Sequence, residues 1–136
     1  MQNQSLRALA KRLGLALVDG EAILRAASKD GLPGYDLFWD NCHPTMEGFL
    51  HLASGVARVL EDRYHVQRKR VNPSTADVES ALGIEGEFTT EMLIGRGQYM
   101  YGIALLTWNP SQRLARARLY LDEAAARAPG DAALAC

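Results

Sequence analysis

Asp40 and His43 stand three residues apart, in the stretch Asp40-Asn41-Cys42-His43-Pro44-Thr45. A carboxylate and an imidazole on one tight turn are two thirds of a hydrolytic triad. The carboxylate orients and charge-stabilises the ring, and the ring moves the proton of a nucleophile. Proline is favoured in the first turn of a helix, so Pro44 and the apolar periodic run beyond it place His43 at or beside a helix N-cap. A capping pair is the plainer alternative, with Asp40 bonding turn amides and His43 finishing the helix start.

The pair lacks a nucleophile of its own. Ser5, Ser28, Ser54, Ser74, Ser80 and Ser111 offer no Gly-x-Ser-x-Gly elbow. Cys42 is adjacent to His43, and neighbours in a chain rarely point the same way, so it reads as a buried small thiol. His43, His51 and His65 are scattered and no paired-cysteine spacing occurs, so no metal ligand set is expected. Gly95-x-Gly97 alone makes neither a phosphate loop nor a dinucleotide fingerprint, and no cofactor is expected.

The elements that must position Asp40 and His43 follow from periodicity. Ser5 to Leu13 has helical spacing, with Gly14 as its stop. Leu15-Ala16-Leu17-Val18 is a short apolar run ending at Asp19-Gly20, as in a buried parallel strand. Glu21 to Ser28 reads as a helix, and Asp30-Gly31-Leu32-Pro33-Gly34 as turn chemistry leading into the loop. From Pro44 onward, Met46, Phe49, Leu50, Ala53, Val56, Ala57 and Leu60 recur at helical steps. One strand cannot make a sheet, so the apolar faces that would cover one must find another cover or stay exposed.

Asp40-x-x-His43-Pro44-Thr45-x-x-Gly48 before an apolar helix resembles the C-terminal catalytic block of the SGNH (GDSL-type) hydrolases. The resemblance covers residues 5–62. It implies a serine esterase or acyl-transfer enzyme on a flavodoxin-like α/β/α fold, with Asp40 and His43 as the Asp and His of the triad. Phe49 departs from the histidine or tyrosine that many members carry after the glycine. The family's Gly-Asp-Ser block and its oxyanion Gly and Asn lie upstream of this block, and Gly-Asp-Ser occurs nowhere in this chain. The resemblance therefore implies only the C-terminal part of that fold. This chain is expected to be inactive alone, with its serine supplied by a missing N-terminal hydrolase part or a partner chain.

Arg63-Tyr64-His65-Val66-Gln67-Arg68-Lys69-Arg70 is the basic cluster, read as a solvated helix end and linker because cations suit a helix C-terminus. Val71-Asn72-Pro73 is a break, and the boundary is set there, giving segments 1–70 and 71–136. Ser74 or Thr75 would cap a helix over Ala76 to Leu82. Thr89 to Thr107 and Arg113 to Ala128 read as two helices around the turn Asn109-Pro110-Ser111. Gly95, Gly97 and Gly102 would allow close approach of a neighbour, and Pro129-Gly130 is the stop. Ala117, Leu121, Ala124 and Pro129 make this hairpin resemble a tetratricopeptide repeat, with Gly102 as the small residue of the first helix. The resemblance implies a protein partner or self-association as a homo-oligomer. The spacing from Gly102 to Ala117 is about three residues longer than the 34-residue consensus unit would give between those positions. Asp131 to Cys136 would open a further helix, so the chain reads as unfinished at both ends.

The fold class expected is thus mainly α, with an incomplete α/β part of about one strand. At 136 residues the chain suits one domain or two small ones. A net charge of −1 argues against a dedicated nucleic-acid binder. Cys42 and Cys136 make no disulfide framework. No apolar run approaches a membrane span and no signal peptide opens the chain, which leaves the compartment open.

Overall fold

The computed structural model describes residues 2–40, 42–65, 73–84, 88–108 and 110–130. The second half of the basic cluster, the break at 71–72, Asn109 and the helix expected over 131–136 lie outside the described residues. The fold is mainly helical: α1 (Gln2–Leu13), α2 (Gly20–Ala27), α3 (Met46–Tyr64), α4 (Thr75–Leu82), α5 (Thr90–Leu105) and α6 (Ser111–Arg127). The chain divides into two compact units, Met1–Gly83 and Ile84–Cys136. The first includes α4, which sequence reasoning placed with the second segment.

In the first unit, α1 ends where the sequence said it would. Gly14 adopts a left-handed φ of 62°. Its N–H bonds the Lys11 carbonyl, and the Leu15 N–H bonds that of Ala10 at 2.9 Å. This paired closure satisfies the last carbonyls of the helix, and glycine permits it at no steric cost.

The strand expected over Leu15–Val18 does not form. Among the described residues there is no strand, only an isolated antiparallel bridge between Phe38 and Pro44. An apolar run of four needs a neighbour to pair with, and none of the described residues pairs with it as a strand. What ties α1 to α2 instead is polar. Asp19 caps α2 by accepting the Ala22 N–H at 3.1 Å, and Arg7 grips the Asp19 carboxylate through Nε and Nη2 at 2.5 and 2.8 Å. The same Nη2 reaches Glu21 at 2.9 Å. The apolar side of α1 and the run after it stay exposed, at 55% for Leu6, 57% for Leu13 and 60% for Leu15.

Helix α2 packs on α3 around Leu24, which is buried. They approach closely at Gly55, where a Cβ would fall 2.2 Å from Ile23 Cδ1. Helix α3 starts two residues later than its proline suggested. Thr45 is the N-cap, its hydroxyl accepting the Gly48 N–H at 3.1 Å. Ser74 caps α4 in a reciprocal box with Asp77, and Gly83 closes that helix at a φ of 65°.

The second unit is the hairpin of α5 and α6. Leu93, Met100 and Ala104 on α5 are buried, as are Ala117, Tyr120 and Ala124 on α6. These positions recur at three- and four-residue steps, so one stripe of each helix faces the other. Phe88, ahead of α5, meets Tyr120 edge-on with ring centroids 6.5 Å apart, and Arg96 lies over the Phe88 ring. Of the three glycines expected to permit close approach, only Gly97 does so: a Cβ there would meet Leu121 Cγ at 2.6 Å. Gly95 and Gly102 face open space. Close approach in α5 is thus made at Gly97 and not at Gly102, five residues further on.

Candidate functional site

The loop between α2 and α3 holds Asp40 and His43, and it is built from its own backbone. The Trp39 N–H bonds the His43 carbonyl at 2.8 Å and the Thr45 N–H bonds that of Leu37 at 2.9 Å. These two bonds bring residues 37–39 alongside 43–45, hairpin-fashion. Leu37, 3% exposed, anchors it to the core.

Upstream, Asp36 fastens the approach. Its carboxylate accepts the Ser28 hydroxyl at 2.6 Å and the amides of Gly34 and Lys29 at 2.9 and 3.3 Å. The Ser28 hydrogen bond first, then the Gly34 amide, hold the Asp36 carboxyl down at about 2. Ser28 is thereby committed to structure, since its hydroxyl is also within 2.9 Å of the Leu32 carbonyl. Sequence reasoning passed over Asp36. The available signal was a serine and an aspartate flanking the Gly31-Leu32-Pro33-Gly34 turn.

At the tip, both oxygens of Asp40 face His43 Nδ1, Oδ1 at 3.0 Å and Oδ2 closer. Oδ1 accepts the backbone amides of Cys42 and His43, each at 2.9 Å. Oδ2 lies 2.7 Å from His43 Nδ1. Asp40 thus bonds the turn amides and holds the imidazole, while the helix start expected at His43 falls to Thr45. Burial pushes the Asp40 carboxyl up, but the two amides and the imidazole outweigh it and bring it to about 2. A carboxylate ionised at neutral pH has no proton to give, so Nδ1 carries the proton of the neutral ring and Nε2 keeps a lone pair. The Asp40 side chain is 6% exposed and that of His43 is 61%, so the ring faces water while its orienter is sheltered.

The remaining residues of the stretch have structural reasons of their own. Pro44 forms the bridge with Phe38, and Thr45 caps α3. Gly48 is forced by proximity, because a Cβ there would sit 2.5 Å from the Leu37 carbonyl oxygen and 3.1 Å from Pro44 Cβ. The glycine lets the first turn of α3 press against the loop that carries Asp40.

One further side chain differs from expectation. Cys42 is exposed, not buried, and its Sγ lies 3.5 Å from His43 Nδ1. Asp40, Cys42 and His43 each bring a donor atom within 4.8 Å of the others, a ligand group the sequence reading did not anticipate. The other histidines stand apart: His51 pairs with Glu47 at 3.2 Å, and His65 closes α3 in a left-handed conformation.

A groove of about 390 Å³ runs between α2 and α3, lined by Ile23, Ala26, Ala27, His51, Ser54 and Arg58 among others. Neither Asp40 nor His43 lines it. No described helix is long and apolar enough to cross a membrane. Comparison with protein-family models, with curated proteins and with solved structures finds no match to the chain.

Proposed function

We propose that residues 5–62 are the Asp/His-bearing part of an SGNH-type serine esterase or acyl-transfer hydrolase. Asp40 is the orienter and His43 the base, and the serine and oxyanion donors come from another polypeptide segment. The observation that carries this reading is the 2.7 Å bond from His43 Nδ1 to a sheltered Asp40 carboxylate, with the ring itself exposed. That arrangement aims an unprotonated Nε2 outward, where a serine hydroxyl could give up its proton. It also gives each quoted residue of Asp40-x-x-His43-Pro44-Thr45-x-x-Gly48 a physical task. The pair attacks no carbon by itself, so this chain alone is inactive toward esters.

A second reading rests on a different observation. Leu6, Leu13 and Leu15 in the first unit and Leu105 and Leu106 in the second are more than half exposed. Exposed leucines of this kind suit association with another chain. On this view the protein is a helical, tetratricopeptide-like interaction module, and the loop is a remnant.

The test is labelling with a fluorophosphonate, which captures activated serines, in the native assembly recovered on this chain. The hydrolase reading expects a labelled serine in a Gly-Asp-Ser segment, with labelling lost when His43→Ala replaces the wild type. No labelled serine, or labelling indifferent to that substitution, refutes it and leaves the interaction module.

A further inference from the structure

We infer that Asp40, Cys42 and His43 form a binding site for a borderline divalent cation such as Zn(II), with one position left to water. Three donors of three kinds converge on one side of one imidazole: the Asp40 carboxylate 2.7 Å from Nδ1 and the Cys42 thiol 3.5 Å from the same atom. A proton on Nδ1 goes mainly to the nearer carboxylate, at 2.7 Å, and leaves the thiol at 3.5 Å a weak share at most. A thiol nucleophile activated by the ring would take the opposite nitrogen from the orienting carboxylate. Convergence on a single point is what a chelate needs.

The spacing fits. With metal–sulfur and metal–nitrogen bonds of about 2.3 and 2.0–2.1 Å, the sulfur–nitrogen edge of a tetrahedron is about 3.5 Å. The corresponding oxygen–nitrogen edge is about 3.3 Å, so the carboxylate must retreat slightly from its hydrogen-bonded position. The thiol is exposed and can turn to meet it. Two backbone amides hold Asp40 in place, and the loop is closed by its own hydrogen bonds, so two of the three ligands are already ordered. The donor set selects the metal class. Thiolate with imidazole suits Zn(II) and Co(II), whereas magnesium and calcium ask for oxygen.

Binding at Nδ1 removes the proton from the thiol and moves the imidazole proton to Nε2. The lone pair that a general base would use is then gone, so a metal-loaded loop cannot act as base. Metal binding requires only these three donors, whereas that block matters only where the loop serves a hydrolase.

The experiment is a Co(II) titration of the purified, reduced chain carrying Cys136→Ser, which leaves Cys42 as its only thiol. A thiolate-to-cobalt charge-transfer band, with tetrahedral visible bands, should saturate at one metal per chain and be bleached by Zn(II). Cys42→Ser should abolish the charge-transfer band. Loss of an outer-sphere partner alone weakens metal sites by about 10–100-fold, so Asp40→Asn and His43→Ala should each cost at least about tenfold in affinity. Far-ultraviolet circular dichroism checks that the variants fold. A measurement needing no site variant is the alkylation of Cys42, which Zn(II) should slow. Absence of the charge-transfer band, its survival in Cys42→Ser, or alkylation indifferent to Zn(II) overturns the inference.

Discussion

Replacing Gly48 by alanine tests whether the loop is braced by close approach of α3. In an ordinary helix interior this substitution gains about 1 kcal/mol, because alanine restricts the unfolded chain and glycine does not. At Gly48 the new methyl would stand 2.5 Å from the Leu37 oxygen. That oxygen is not free to withdraw, since it accepts the Thr45 N–H that closes the loop. Overpacking against fixed neighbours costs about 1–3 kcal/mol, and loosening the closing hydrogen bond costs about 1 kcal/mol more. Set against the propensity gain, the first unit should lose about 1–3 kcal/mol. Urea unfolding followed by Trp39 fluorescence, in a Trp108→Phe background that leaves one indole, reads this directly. A variant as stable as its parent, or more so, would refute the claim that contact with Leu37 dictates a glycine here.

The same reasoning reverses sign in α5. Gly102→Ala, with nothing near its Cβ, should stabilise the hairpin by about 0.5–1 kcal/mol, while Gly97→Ala, pressed against Leu121 and the Ala117 carbonyl, should destabilise it by about 1–2 kcal/mol; thermal unfolding of the two variants ranks them. Acid provides a further check. The Asp36 carboxyl is lowered from 3.8 to about 2 in the folded chain, so its stabilisation is complete above the unfolded value and is lost as pH falls through the folded one. The urea midpoint of the first unit should therefore drop between about pH 4 and pH 2, and Asp36→Asn should shrink that drop; an unchanged acid limb would remove Asp36 as the loop's fastener.

Helices and their ends were legible in the sequence because their signals are local. The Gly14 stop and the Ser74 cap need no information from elsewhere in the chain. The start of α3 was misplaced because proline and threonine both signal a helix entrance. Thr45 prevails since its hydroxyl can accept the Gly48 N–H, leaving Pro44 to face Phe38. Leu15–Val18 was read as a strand because a four-residue apolar run has no periodicity to contradict it. The structure leaves it unpaired, and Arg7 with Asp19 joins the flanking helices instead. The spacing of Asp40 and His43 foretold their contact. It did not foretell the orientation of Cys42 or the role of Asp36, since both depend on the path of an irregular loop. Gly97 and Gly102 differ only in which side of α5 they occupy, which becomes visible once α6 is in place.

The hydrogen bonds described above for the loop join residues no further than eight apart, from Ser28–Asp36 to Thr45–Gly48. Short closures lose little chain entropy and form quickly. The carboxylate and imidazole are consequently brought together early in folding, before any distant segment has to arrive. What this chain must add from outside the stretch is chiefly a core to receive Leu37.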